Sequence, residues 1–423
     1  HQMKILLVSA SDLFSSYGGG QVYVKNLVDQ LIQQGESPII ATPYSDGIRA
    51  TDYKGCRVIN FGVPLTAETT YNILAEIKPD IVHAHGFKAI FAESCRKLDI
   101  PCIITAHHGG ITCPAGSLLN YRDEICMIRA NQNDCLPCVL KNIRGGIWIW
   151  PLVRLLPLKL RGYLGKLMKK LPFIYFVTPV LQASYSIRQK ELEWSLIHQN
   201  ASLIIAPSNE IARNMIINGV DAEKIKVVPH GVPLPKNFHN TVVNTPERSF
   251  KFFYVGRISY VKGVHVMLAA FNESKINAEL HIIGGAGNRN EERYMRRQTK
   301  KYKDDARIKW QGKISYQNIY DEIYKYDVMI HPAIYLEVFG LNIAEALAMG
   351  KPVIATRCGG PEMQIEDGEN GWLIPPNDKE RLTEKIEFVV KEFPLQTFIG
   401  SRTNPTSIEE HCVELQKLYK SIS

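Results

Sequence analysis

Glu337 and Glu345 bracket the stretch Glu337-Val-Phe-Gly-Leu-Asn-Ile-Ala-Glu345, which continues as Ala-Leu-Ala-Met-Gly350-Lys-Pro-Val-Ile-Ala355. Gly340 precedes an apolar run, Leu341 to Met349, whose spacing predicts a helix, and Gly350 ends it before a short buried strand, Pro352 to Thr356. A glycine at a helix entry lets a ligand approach the backbone closely. The N–H groups left over there, at the positive end of the helix dipole, suit a phosphate. Glu345, about one turn in, could accept two hydroxyl hydrogen bonds from a ribose. Glu337 stands on the other side of the phosphate position, toward whatever the phosphate carries. The spacing alone also fits a capped surface helix with two solvated glutamates.

Other candidates lie upstream. Arg257 and Lys262, in Gly256-Arg257 and Lys262-Gly263, follow the strand Phe250 to Val255 and could clamp a diphosphate, one as a fork and one as a point charge. Gly18-Gly-Gly20 opens a helix after a first strand, Met3 to Ala10; its predicted apolar positions are Val22, Val24, Leu27, Val28 and Leu31. A strand, a glycine loop and a helix make a ligand approach at a sheet edge, but G-x-G-x-x-G is absent and NAD is disfavoured. His83 and His85 end one strand, and His107 and His108 end the next. Cys113, Cys126, Cys135 and Cys138 follow, the last two as C-x-x-C. Four thiolates would close a tetrahedral sphere, so a structural zinc is the metal expectation, with an iron–sulfur cluster as the alternative and buried free thiols as the plain reading. From Trp148 to Lys170 tryptophans, aliphatics and basic residues occur without an acid, a composition for an anionic membrane surface or for ordinary core helices with solvated lysines.

These residues need elements to hold them, and the chain alternates accordingly. Strands are predicted at 38–42, 58–61, 80–85 and 101–106, with helices at 66–77 and 89–97; the segments 202–208 and 225–232 finish the first domain, and a second alternation begins at Phe250. The fold class is α/β, with doubly wound parallel sheets. A chain of 423 residues is long for one core, so two domains are expected: 1–235 with an insertion at about 109–200, and 236–404, followed by a helix at 405–423. The polar stretch 236–248 reads as the linker. Hydrophobic content of 45% with 22% charged residues fits a globular chain, and a net charge of +8 favours anionic partners. The odd number of cysteines, nine, points to a reducing compartment. The two residues ahead of Met3 read as an expression remnant. No apolar run reaches spanning length, so a cytoplasmic, membrane-peripheral protein is expected.

The segment His331-Pro-Ala-Ile-Tyr-Leu-Glu337 through Gly371-Trp-Leu-Ile-Pro375, including Gly359-Gly360-Pro-Glu362, resembles the donor-binding signature of retaining family 4 glycosyltransferases, the glycosyl transferases group 1. The resemblance extends over most of the chain. It implies the GT-B fold, two Rossmann-like domains facing across a cleft with the C-terminal helix crossing back. It also implies transfer of a sugar from a UDP or GDP sugar to a glycan or lipid-linked acceptor, with retention, in cell-surface polysaccharide or glycolipid synthesis. Donor contacts would fall on Gly19, Gly20, Arg257, Lys262, Ile314, Glu337, Phe339, Gly340, Leu341 and Glu345, and catalytic roles on His107, Glu337, Arg257 and Lys262. No D-x-D motif is placed to chelate the donor, so no cofactor is expected for catalysis, and nucleic acid is not an expected partner. A nucleotide-sugar 2-epimerase shares the architecture, and a non-catalytic sugar- or lipid-binding protein is the other alternative.

Overall fold

The computed structural model describes residues 3–14, 18–44, 49–141, 151–168, 178–235, 249–392 and 405–423. The chain divides into two units, His1–Pro229 with Glu409–Ser423, and His230–Ile408. The linker 236–248, the tryptophans Trp148 and Trp150, and the stretch 169–177 lie outside the described residues.

The first unit is built on β1 (Ile5–Val8), β2 (Ile39–Pro43), β3 (Asp52–Tyr53), β4 (Cys56–Phe61), β5 (Ile81–Ala84), β6 (Cys102–Thr105), β7 (Leu203–Ala206) and β8 (Ile225–Val227), in the order β3-β4-β2-β1-β5-β6-β7-β8. All pairings are parallel except β3 with β4, a short antiparallel edge that the alternation did not predict. β1, β6 and β7 are buried at every position, as strands covered on both faces must be, and their sequences are accordingly apolar throughout, save Thr105 at the end of β6. The helix Gly19–Gln33 buries Tyr23, Val24, Leu27, Val28 and Leu31. Val22, expected in that stripe, is only half-buried, because the 3.6-residue period turns Tyr23 inward instead. Neighbouring strands β6 and β7 are joined by the long insertion, which carries the helices Gln132–Leu140, Leu158–Met168 and Thr178–Asn200.

The second unit holds a six-stranded sheet, β11-β10-β9-β12-β13-β14, from β9 (Phe250–Val255), β10 (Ala278–Ile283), β11 (Ile308–Gly312), β12 (Val328–His331), β13 (Val353–Thr356) and β14 (Gly371–Ile374). Every pairing is parallel. The strand order places β9 beside β12 at the centre, where the chain direction of travel across the sheet reverses. In such sheets ligands bind beyond the carboxyl ends of the strands at that point.

The unit boundary falls at 229/230 and not at 235/236. Val232 bridges to Ser407 and packs with Phe339 and Ala344, so the chain has joined the second core before the polar stretch begins. The helix Ile408–Ile422 belongs to the first unit, where it buries Cys412, Leu415 and Tyr419. Among the described residues no helix is long and apolar enough to cross a membrane.

Candidate active site

The loops leaving β9 and β12 bring three ionisable groups together. Lys262 Nζ donates to Glu337 Oε2 at 2.6 Å, and both side chains are largely covered, 17% and 8% exposed. His331, at the end of β12, places Nε2 3.4 Å from the same oxygen, and the hydroxyl of the half-buried Tyr335 also bonds Glu337. Burial alone would push the Glu337 carboxyl up, but the Lys262 ammonium and then His331 hold it well below the usual carboxylate range. Burial works against the Lys262 ammonium in the same way, and Glu337 more than offsets it, leaving Lys262 above its ordinary value. The loop is pressed against the strand end. Gly263 has φ +69°, and a Cβ there would lie 1.8 Å from the Pro332 carbonyl oxygen, so no other residue fits. Glu337 is fixed by its backbone too: its N–H donates to Cys358 (2.7 Å), and its carbonyl accepts from Gly360 (2.9 Å).

Gly340, at φ +87°, caps the helix Leu341–Ala348. The first N–H groups of any helix lack intrahelical acceptors, so this end can receive an anion. Phe339 and Leu341 turn their side chains toward Val232 and Ala344, and the Phe339 carbonyl accepts from Gln364 (2.5 Å). Their side chains therefore support the loop. Glu345 is 5% exposed, and burial pushes its carboxyl up to about 7, against a hydroxyl hydrogen bond from Tyr316. Ile314 packs beside Tyr316 against the core below. Arg257 is different: its side chain is 53% exposed and reaches Glu291 at 3.4 Å. The second unit thus holds a buried, fully ionised pair, a carboxylate near neutrality, an exposed guanidinium and a glycine-capped helix end. Such a set can bind a diphosphate flanked by hydroxyl groups.

In the first unit, His107 Nε2 lies 2.8 Å from His85 Nδ1, so a ring proton is held between them. The Tyr23 ring packs tilted against that of His107, 5.0 Å between ring centroids, and a Cβ on Gly20 would touch the His107 ring at 3.9 Å. Gly19 is the first residue of that helix. The Lys88 ammonium donates to the His85 carbonyl (2.6 Å) and holds the strand end. His83 is a structural histidine. It is buried, bonds Thr105 (2.7 Å) and Tyr419 (2.6 Å), and burial lowers it to about 3, so it stays neutral. His108 is exposed. Sequence reasoning missed Tyr316, Tyr335 and the His85–His107 bond. His85 sits at a strand end like His107, which was the available sign; nothing in the spacing pointed to Tyr316.

Cys126 follows a hairpin bridge between Leu119 and Ile125, and Cys135 and Cys138 lie on the helix Gln132–Leu140. Burial pushes the Cys135 thiol up to about 12, with further contributions from Cys113, Cys126 and Cys138, so the four are neighbours. Cys135 also packs in an apolar cluster with Leu136 and Leu140. Among the described residues no three such side chains are arranged to hold a metal ion. Between Pro114 and one face of the helix Thr178–Asn200 opens a cavity of about 390 Å³, lined by Gln182, Ser186, Gln189, Lys190 and Glu193.

Comparison with known proteins bears on this geometry. Residues 236–403 match the family model for glycosyl transferases group 1, and residues 17–132 and 167–236 match that for Glycosyltransferase Family 4. Sucrose synthase from Acidithiobacillus caldus is 34% identical over 144 residues, 31% of this chain and 18% of that protein. The putative colanic acid biosynthesis glycosyltransferase WcaL of Salmonella typhimurium is 26% identical over 199 residues, 46% of this chain and 49% of WcaL. The matched segments of the sucrose synthases span roughly a fifth of their length. Among solved structures, sucrose-phosphate synthase from Thermosynechococcus elongatus superposes with a TM-score of 0.72 at 19% identity, covering 100% of this chain and 99% of that one. Anabaena HepE in complex with UDP-glucose superposes with a TM-score of 0.69 at 17% identity, covering 99% and 100%. The two family models together take in residues 17–132 and 167–403, and the chain belongs to glycosyltransferase family 4, its two Rossmann-like units having the GT-B architecture.

Proposed function

We propose that this chain moves a sugar from a nucleoside diphosphate sugar to a hydroxyl of a glycan or lipid-linked acceptor, with retention at the anomeric carbon. The observation that carries the reading is the buried Lys262–Glu337 pair beside the glycine-capped helix that bears Glu345. Glu345 accepts the ribose hydroxyls, and their hydrogen bonds replace the water that burial has removed from it. Lys262 has three N–H donors and gives one to Glu337, so it can also meet a phosphate oxygen. Arg257 and the helix end complete the charge around the diphosphate. Glu337 faces the sugar. The glycosidic C–O bond breaks with its electron pair on the phosphate oxygen. The acceptor oxygen bonds the anomeric carbon from the same face, and its proton passes to the departing phosphate. His107, held by His85, is assigned to substrate contact in the first unit. The amides, hydroxyl and ion pair of the cavity beside Pro114 suit the hydroxyls of a saccharide acceptor.

The test is a thermal-shift screen of UDP and GDP sugars, because a ligand that binds only the folded state raises the midpoint. The donor so found is then incubated with oligosaccharide acceptors and the product linkage read by NMR. Acceptor-dependent release of nucleoside diphosphate with a retained anomeric signal is expected. Conversion of the donor to its 2-epimer without any acceptor would replace this reading by an epimerase, and binding without turnover would replace it by a sugar-binding protein. We further propose that Cys113, Cys126, Cys135 and Cys138 hold one structural zinc in the insertion. Burial raises the Cys126 and Cys138 thiols, and the backbone hydrogen bonds that Ile128 gives Cys126 and Tyr121 gives Cys138 work against that rise, in the direction a metal-bound thiolate needs. Elemental analysis after purification without added metal should give a ratio near one. A ratio near zero with freely titratable thiols would make these packed cysteines, and visible absorption would indicate iron and sulfide instead.

A further inference from the structure

The segment 151–168 of the insertion has two opposed faces. One is anchored. Val153, Leu156 and Leu164 pack on Leu136, Leu140, Ala183 and Ile187, from the helices on either side. Arg161, 3% exposed, locks the corner by donating to the carbonyls of Leu156 (2.7 Å) and Arg154 (2.6 Å) and to Asn133 Oδ1 (2.9 Å). The other face is open. Leu152, Leu155 and Tyr163 are 68%, 80% and 64% exposed, and Leu158, Leu160 and Leu167 are exposed as well. These are six of the eighteen large exposed apolar residues in the described chain, gathered in sixteen positions, whereas single exposed apolar residues are ordinary elsewhere. Along the helix Leu158–Met168, Arg161 and Leu164 turn inward while Leu160, Tyr163 and Leu167 recur at helical spacing outward. Arg154, Lys159 and Lys166 are exposed among them. No aspartate or glutamate occurs between Asp134 and Glu191, so the segment carries no carboxylate of its own to balance them.

We infer that this face docks on an anionic lipid bilayer, with Leu155, Leu160, Tyr163 and Leu167 entering the headgroup–acyl boundary and Arg154, Lys159 and Lys166 lying at the level of the lipid phosphates. Charge complementarity selects this occupant. An amphipathic segment whose own exposed charged residues are all cationic matches a surface that is apolar below and anionic above. A second copy of the chain would set these cations against one another. The anchored inner face makes the outer one a rigid platform, so docking needs no refolding. Docking is independent of turnover and is measured without a donor, so its failure and the failure of the transferase reading are separate results.

The experiment is co-sedimentation of the full chain with phosphatidylcholine vesicles and with vesicles containing about a third phosphatidylglycerol, at low and high salt. Binding at least tenfold stronger to the anionic vesicles is expected, weakened by salt. Lys159→Glu with Lys166→Glu should abolish that preference, and Leu155→Gln with Tyr163→Gln should reduce the bound fraction on both vesicles. All four positions are exposed, so the melting temperatures should match that of the unaltered protein. Equal binding to neutral and anionic vesicles would overturn the inference, as would anionic binding that neither double variant changes. A concentration-dependent dimer that Leu155→Gln with Tyr163→Gln abolishes would assign the face to a second copy and overturn it too.

Discussion

The loop that carries Glu337 and the helix turn that carries Glu345 bury their carboxylates almost equally, at 6% and 5% exposure, yet the two groups titrate in opposite directions. Removal from water raises both. At Glu337 an ammonium at 2.6 Å, with His331 behind it, more than reverses the effect. At Glu345 a single phenol hydroxyl does not, and the carboxyl rises to about 7. Burial sets the demand and the nearest cation decides the outcome. The first site is a permanent charge that orients its surroundings. The second is incomplete until hydroxyl donors arrive, which is the condition of a binding group.

The largest test removes the cation. Lys262→Met leaves Glu337 buried with only His331 and the Tyr335 hydroxyl beside it, and breaking such a pair costs about 3–5 kcal/mol. Denaturant titrations should show the full loss at pH 8 and a smaller one at pH 5, where Glu337, no longer held low, can take up a proton. A loss that is the same at both pH values would mean that Lys262 is not what ionises Glu337. Next comes Glu345→Gln. A folded value raised from 4.5 to about 7 means that wild type without ligand has this contribution in full below about pH 4.5 and loses it as pH rises through about 7. Glu337, with a depressed value, behaves oppositely: its contribution is complete above the ordinary carboxylate pKa and fades as pH falls. At ~1.4 kcal/mol per pH unit, the amide at 345 should therefore stabilise the unliganded protein at pH 8 by up to about 3 kcal/mol relative to pH 4.5, while weakening nucleoside diphosphate binding. Calorimetric titration with the nucleotide checks the second half, and unchanged affinity would remove the ribose role.

Two smaller changes sharpen the contrast. Tyr316→Phe deletes the one hydroxyl on Glu345 and should destabilise by about 1 kcal/mol, with the carboxyl moving higher still. Carbon-13 titration of the glutamate side chains would detect that movement. Arg257→Ala breaks a pair that solvent already screens, so stability should change by less than about 0.5 kcal/mol. Donor affinity should nonetheless fall at least tenfold, since a diphosphate would lose its fork. If stability fell as far as in Lys262→Met, the distinction between the buried and the exposed pair would fail.

The alternation of apolar strands and periodic helices, the glycine before Leu341 and the spacing of the two glutamates were all readable in the chain, because each is a local pattern with a local cause. Strand positions in the described residues shifted by only a residue or two, as with Ile81–Ala84 for the predicted 80–85. What escaped depends on residues distant in sequence. Tyr316 meets Glu345 only because the chain leaving β11 packs on the same core cluster as the helix Leu341–Ala348. The boundary at 229/230 depends on a bridge from Val232 to Ser407. The two-residue strand β3 is too short to show a period. For the expected donor contacts Phe339, Gly340 and Leu341, packing adds what the spacing did not show: the side chains of the first and last lie against Val232 and Ala344, and the glycine caps the helix.

The helix Ile408–Ile422 gives the chain an order of events. Its His411 bonds the Tyr23 hydroxyl (2.6 Å), its Tyr419 bonds His83 (2.6 Å), and both partners are buried in the first unit. During synthesis those partners leave the ribosome early, and the residues of the whole second unit, His230–Ile408, follow before the helix is made. At 5–20 residues per second that is a wait of roughly 10–35 s. Through it, the nascent first unit leaves the Tyr23 hydroxyl, the Leu27 carbonyl and the imidazole of His83 without their partners, a surface for a chaperone to cover until the last helix is released.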